Sequence, residues 1–302
     1  MTVPTLLFQR NARVTITEIP NILDNKAKII DQLFIKFNVV KSTKSETNKG
    51  RIAIYNLSEA SRNFIDARKP VSVRPVIKLE VGYQGEYQLL FVGDIKRTNS
   101  EKRGPDWVTT IEAEDGDELL HRSNFARNFK AGTSEGQIVQ DILKEVGLLS
   151  NNIKAELTGD GENIKHSVTL DGAIFSLMDQ YISNMEKEWS VQDGAVQITV
   201  PGAVIDAPTI DLSEKTGLIG SPIKTDKGIK LKALIQAGFQ PGRGINVTSR
   251  LMPKGAFYRI EQTTFNGETR GPQWMATIEA SKTEVNPTVG IPLQFDQIEN
   301  VA

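Results

Sequence analysis

Apolar and polar side chains alternate along much of the chain. Leu33, Ile35, Phe37 and Val39 fall on one face of an extended segment, with Lys36 and Asn38 on the other, the period of two that a half-buried strand requires. The same alternation predicts strands over residues 32–40, 51–55, 76–83, 87–95 and 107–115, and a shorter run at Arg13, Val14, Thr15, Ile16 and Thr17 suits a sheet edge. Ser58 is placed to cap a short helix over residues 59–67 that buries Phe64 and Ile65 and stops at Pro70. Residues 41–49 are Ser, Thr, Lys, Glu and Asn only, the composition of a mobile hairpin tip.

From His121 the period shifts towards 3.6. Thr133 and Ser134 with Gln137 form a capping box for a helix whose stripe is Ile138, Ile142, Leu143 and Val146, ended by Gly147. Asp171 is expected to cap a second helix with Ile174, Leu177, Met178, Tyr181, Ile182 and Met185 inward, and Trp189 just beyond it. Asp193 and Gly194 mark a tight hairpin. The period of two returns over residues 229–237, 245–249, 257–264 and 274–280, whereas residues 284–302 hold two prolines and no helical period. The fold class expected is mainly β with an α+β insert. Residues 1–120 form a first tube-like antiparallel β-barrel, 121–208 a small mixed domain ending in a linker, 209–283 a second barrel, and 284–302 an extended tail.

One stretch occurs twice. Arg103, Gly104, Pro105, Trp107, Thr110, Ile111, Glu112 and Ala113 return as Arg270, Gly271, Pro272, Trp274, Thr277, Ile278, Glu279 and Ala280, so eight of eleven positions agree at an offset of 167. Average residue usage gives about one match, so a duplicated unit is the simplest origin. In each copy Arg-Gly-Pro supplies a reversal and a strand follows. The preceding strands also correspond, Ile95 with Ile260, which implies two residues added to the second hairpin loop. Trp107 and Trp274 fall on the apolar side of their strands. That position suits core plugs, and interface anchors are the alternative.

Composition narrows the chemistry. The chain has 36 Lys+Arg against 37 Asp+Glu, which gives no electrostatic case for nucleic acid or an anionic membrane as the main partner. Cysteine is absent, which excludes disulfides, thiolate metal sites and cysteine nucleophiles. No apolar run reaches membrane-span length. His121 and His166 lack plausible co-ligands, and metal geometry needs three or four convergent groups. Glu112, Glu114, Asp115, Asp117 and Glu118 form an acidic run; a solvated strand face competes with a carboxylate pair for acid–base work. The glycine-rich segment 238–244 meets neither phosphate-binding fingerprint, and no serine has a nucleophile-elbow context. The expectation is no catalytic residue, no cofactor and no metal.

A resemblance is carried by Phe91-Val92-Gly93-Asp94-Ile95, by Arg103-Gly104-Pro105-Asp106-Trp107, by the run from Thr109 to Gly116, and by Asn56-Leu57-Ser58, Pro241-Gly242-Arg243 and Tyr258-Arg259-Ile260. The chain resembles the central baseplate hub of contractile phage tails, of the T4-type, Mu-like and late-control-D kinds, over most of residues 30–283. The resemblance implies a homotrimer assembled in the host cytoplasm and built into the virion tail baseplate. Three chains carrying two barrels each would match a hexameric tail tube or tube-initiator ring on one side and a trimeric spike on the other. Baseplate wedge proteins would be further partners, DNA would only pass through the channel, and no membrane would be involved. Equivalent edges of the two barrels would pair around the ring. The 41–49 loop would face the tube or channel, the tail would order on the spike or a neighbouring subunit, and cell-wall cleavage would belong to a partner. A tail-tube or secretion-tube ring subunit and a cell-wall-cleaving enzyme using Glu112 and Asp115 are the alternatives.

Overall fold

The structure is a computed structural model that describes residues 7, 9–17, 27–65, 75–116, 123–145, 160–205, 207–250 and 252–283. His121, Pro70, Val146, Gly147 and the 284–302 tail lie outside the described residues. The protein is mainly β, with antiparallel sheets. In chain order the first part holds β1 (Arg10–Thr17), β2 (Ala27–Ile30), β3 (Ile35–Ser42), β4 (Lys49–Tyr55), α1 (Glu59–Phe64), β5 (Val76–Tyr83), β6 (Gln88–Arg103) and β7 (Asp106–Glu114). The middle holds β8 (Asn124–Phe129), α2 (Glu135–Glu145), β9 (Val168–Ala173), α3 (Ile174–Asn184), β10 (Glu188–Gln192) and β11 (Ala195–Thr199). The last part holds β12 (Ile210–Leu212), a 3₁₀ turn (Glu214–Thr216), β13 (Leu218–Thr225), β14 (Gly228–Leu234), β15 (Gly244–Ser249), β16 (Met252–Glu268) and β17 (Trp274–Lys282).

Local chemistry accounts for several boundaries. Ser58 Oγ accepts from the Ser61 amide at the start of α1, and Ser134 Oγ accepts from the Gln137 amide at the start of α2. In α2 the buried stripe is Ile138, Val139, Ile142 and Leu143. The β10–β11 turn places Asp193 at φ +56 and Gly194 at φ +84, both central residues left-handed as a type I′ hairpin demands. Gly104, at φ +60 in the two-residue turn between β6 and β7, has the conformation that puts glycine first in a tight hairpin. Asp171 is not a helix cap. It lies within β9, and α3 begins after Ala173 with no side-chain cap, because pairing with β8 holds residues 168–173 extended.

Two buried clusters organise the chain. One is built from α2, α3 and the strands around them, with Trp189, Val191 and Val196. The other draws on both the first and the last part, from Ala12 to Ala113 and from Leu212 to Ala280. The two copies of the β-unit therefore share one core. Their strands also share one sheet of 13, in the order β13-β14-β17-β16-β3-β4-β7-β6-β5-β1-β2, with β15 on β16 and β12 on β15. Separately closed barrels were expected; among the described residues the ladder is continuous and no sheet closes. The join is β16 against β3, with Phe265 opposite Val39.

One expectation fails at particular residues. The 41–49 segment is not a free tip at either end, because β3 continues through Ser42 while Lys41 and Asn48 are buried. In the 201–208 linker, Ala203 and Val204 are buried as well. β13 was not foreseen: Gly220 and Pro222 interrupt its alternation, and its ladder to β14 shifts register between Ile219 and Ile223.

Candidate functional site: the duplicated unit and its junctions

The repeated stretch seen in sequence is the centre of a repeated topology. In the first copy the strands lie β3-β4-β7-β6-β5, and in the second β13-β14-β17-β16-β15, the same order with the same antiparallel senses. The ladders agree residue by residue. Ile95 pairs with Ala113, an irregularity follows, and Arg97 pairs with Glu112; Ile260 pairs with Ala280, the same irregularity follows, and Gln262 pairs with Glu279. A β-bulge is a built feature of a strand pair, so its recurrence at one position is strong support for duplication. Counting from that bulge, the hairpin loop of the second copy is two residues longer, as the sequence implied. The neighbouring strands correspond too, with Ile52 opposite Ile111 and Leu231 opposite Ile278.

The duplicated residues do not have duplicated surroundings. Ile111 and Ile278 are both fully buried. Trp274 is 5% exposed and Trp107 is 39% exposed, so the core-plug expectation holds for the second and fails for the first. Trp274 is boxed in by side chains of the first copy: Phe37 lies edge-on at 5.6 Å between ring centroids, and the indole Nε1–H donates to Tyr83 Oη at 3.0 Å. Tyr83 in turn donates to the Ile235 carbonyl, and burial pushes its hydroxyl up to about 12. Trp107 instead carries the Arg62 guanidinium 4.3 Å above its ring. Pro105 and Gly104 form a two-residue turn after Arg103, which pairs with Glu101. Arg270 donates to the Gln32 carbonyl and Arg10 to the Gly271 carbonyl, which ties the longer second loop, Pro272 included, to the N-terminal strands.

A second junction lies where three parts of the chain meet. The inward phase of β3 runs Ile35, Phe37, Val39 and then Lys41, which is fully buried. Its three ammonium protons have three acceptors: the Leu90 carbonyl at 3.0 Å, Asp193 Oδ2 at 2.6 Å and Gln240 Oε1 at 2.7 Å. Asp115, just past the end of β7 and next in the inward phase after Ala113, accepts from the Asp193 and Gly194 amides at 2.6 and 2.8 Å. Asn48 Nδ2 donates to the Val191 carbonyl and to Gln192 Oε1, and Gln192 Nε2 donates to the Ser42 carbonyl. Two carboxylates thus face one cation away from water. Burial, then the Asp193 charge, push Asp115 up to about 7, against the opposing pull of Lys41 and the two amides. Beside this node, buried Arg259 of β16 pairs with Glu188 and Glu261, and Glu261 also accepts from Thr43 and Ser281.

The carboxylates once considered for acid–base work are not brought together. Glu112 is half exposed and faces Arg51, whereas Asp115 is locked into the buried node. His166 is exposed, and among the described residues no group of three or more His, Asp or Glu could hold a metal ion. Lys41, Gln240, Arg259 and Glu261 were missed in sequence. Only Lys41 left a trace, as the next inward position after Val39.

The fold is one that solved phage-tail and secretion-system proteins also have. The 43 kDa tail protein of prophage MuSo2 from Shewanella oneidensis aligns with a TM-score of 0.58 at 9% identity, over 90% of this chain and 98% of that one. A tail protein from Neisseria meningitidis MC58 aligns with a TM-score of 0.58 at 9% identity, over 90% and 97%. The E. coli c3393 protein, a component of the type VI secretion system described as structurally similar to T4 tail proteins gp27 and gp5, aligns with a TM-score of 0.54 at 13% identity, over 86% and 76%. No curated protein matches by sequence. The fold is thus shared with solved tail proteins. A family model described as Baseplate hub gp41 matches residues 13–280, and the chain belongs to that family. Membership places the protein in the tail baseplate of a virion, in a structural role.

Proposed function

We propose that three copies of the chain form a hub in which two similar β-units per chain present near-sixfold symmetry to a hexameric tail tube and threefold symmetry to a trimeric spike, around a channel that DNA crosses. The observation that supports this is the strand order β3-β4-β7-β6-β5 repeated as β13-β14-β17-β16-β15. Closed rotational assembly then converts one symmetry to the other without chemistry. On the same proposal the chain divides into a first tube-like unit over residues 1–120, a small α+β unit over 121–208, a second tube-like unit over 209–283 and a tail over 284–302. The repeated residues around Trp107 and Trp274 are then structural rather than catalytic. Mass measurement of the purified protein tests the assembly: three chains are expected, and six would indicate a tube ring instead.

A further inference from the structure

Inside one chain the second copy meets the first through a strand pair. The β16 residues Asn266, Gly267 and Glu268 lie opposite Asn38, Phe37 and Lys36 of β3. Asn38 Nδ2 donates to Asn266 Oδ1 at 2.8 Å, and Lys36 Nζ is 2.8 Å from Glu268. Both strands of this junction have counterparts. Registers through the hairpins carry Phe265 and Asn266 of β16 onto Ser100 and Glu101 of β6, because Phe265 pairs with Ala276 and Ser100 with Thr109. They carry Asn38 and Val40 of β3 onto Ile223 and Thr225 of β13, through the equivalent partners Arg51 and Lys49 of β4 and Lys230 and Gly228 of β14. Among the described residues no strand pairs with the outer edge of β6 over 99–103, nor with the outer edge of β13.

We propose that β6 of one chain pairs antiparallel with β13 of a neighbouring copy of the same chain, in the register of the β16–β3 junction, with Glu101 opposite Ile223, Ser100 opposite Lys224 and Asn99 opposite Thr225. This rests on the trimeric hub proposed above and names the surface that closes it. Each chain then supplies one β6 edge and one β13 edge, and the contact is head-to-tail, the kind that generates a ring when its rotation closes.

The surface chemistry agrees. The large apolar side chains exposed among the described residues are Ile29, Trp107, Val200, Ile219 and Ile223. Ile219 and Ile223, the latter 66% exposed, lie on β13 itself, and Trp107 lies on β7 directly opposite Lys102 of the β6 edge. An unpaired strand edge carrying exposed isoleucines is a template for association. In the proposed register the aliphatic part of Glu101 covers Ile223. The internal junction shows what pairing does at this position, because the β3 edge is what brings Phe37 onto Trp274.

The natural chain has no cysteine, so introduced thiols report cleanly. The intact chain carrying Glu101→Cys and Ile223→Cys is oxidised and run on a non-reducing denaturing gel. Asn38→Cys with Asn266→Cys, the same pair inside one chain, is the positive control, and Asn99→Cys with Ile219→Cys is the off-register control. The expected result is dimer and trimer bands from the first variant, a cross-linked monomer from the second and monomer alone from the third, with all three having the mass of three chains when reduced. If the first variant stays monomeric on the gel while the positive control closes and the native mass is three chains, the strand pairing is overturned and the trimeric hub stands. Equal cross-linking by the off-register pair overturns the register. A native mass other than three chains overturns the hub, and the pairing with it. As a measurement without cysteines, Ile223→Glu sets like charges opposite one another and should raise the trimer dissociation constant at least tenfold; an unchanged constant would count against the pairing.

Discussion

The Phe37 ring stands at 77° to the Trp274 indole, its centroid 5.6 Å away, although 237 residues separate them (274 − 37). One ring belongs to the first copy of the β-unit and the other to the second. The contact is possible because Gly267 lies between them: a Cβ at Gly267 would sit 2.1 Å from Phe37 Cζ. The join between copies is thus a ladder of backbone bonds with an aromatic plug passed across a bare backbone position.

Gly267→Ala should therefore force Phe37 out of its place and destabilise the protein by about 1–3 kcal/mol. Adding Phe37→Leu should recover part of that loss. Denaturant titration of the single and double variants checks it, and simple additivity of the two changes would show that they do not share the space.

Truncating the two repeated tryptophans should give unequal results. Trp274→Ala removes a buried ring and the donor to Tyr83 and should cost about 3–5 kcal/mol. Trp107→Ala, at a half-exposed site, should cost less than about 1 kcal/mol in the dissociated chain. Equal losses by denaturant titration at low protein concentration would contradict the asymmetry.

Lys41→Met should be among the most damaging single changes in the molecule. It leaves Asp193 and Asp115 buried without their cation, and breaking a buried pair from one side costs about 3–5 kcal/mol. Lys41→Met with Asp193→Asn removes the stranded charge as well and should be more stable than Lys41→Met alone. A double-mutant cycle measures the coupling.

Asp115 predicts a pH dependence of definite sign. Its carboxyl titrates near 7 in the folded chain against 3.8 in the unfolded one, so between those values the folded state holds a proton that the unfolded state has released. Stability then falls as pH rises from about 4 through 7 and levels off above that. Asp115→Asn should remove this fall. Unfolding free energies measured from pH 4.5 to 8.5 in both proteins decide it, and a parent chain that gains stability over that range would refute the assignment.

Much of this was legible in sequence because it depends on local chemistry. The period of two at Ile35, Phe37 and Val39 fixes which face of β3 turns inward, and Asp193-Gly194 can form its turn without help from the rest of the chain. The repeat around Trp107 and Trp274, down to the two extra residues in the second loop, follows from identity at a fixed offset. The tertiary structure decided what long-range packing alone can decide. Strand pairing between residues more than 200 positions apart has no signature in either strand, so the merging of two copies into one sheet through β16 and β3 could not be read. The fate of Trp107 and Trp274 depended on which copy has a neighbouring strand inside the chain. Lys41 sits at an inward position of β3 and Asp115 continues the inward phase of β7 just past its end, where a charge is stable only if partners arrive from elsewhere. Those partners, Asp193, Gly194 and Gln240, come from segments that only folding brings together, because the cost of burying a charge is offset by contacts that sequence proximity does not provide.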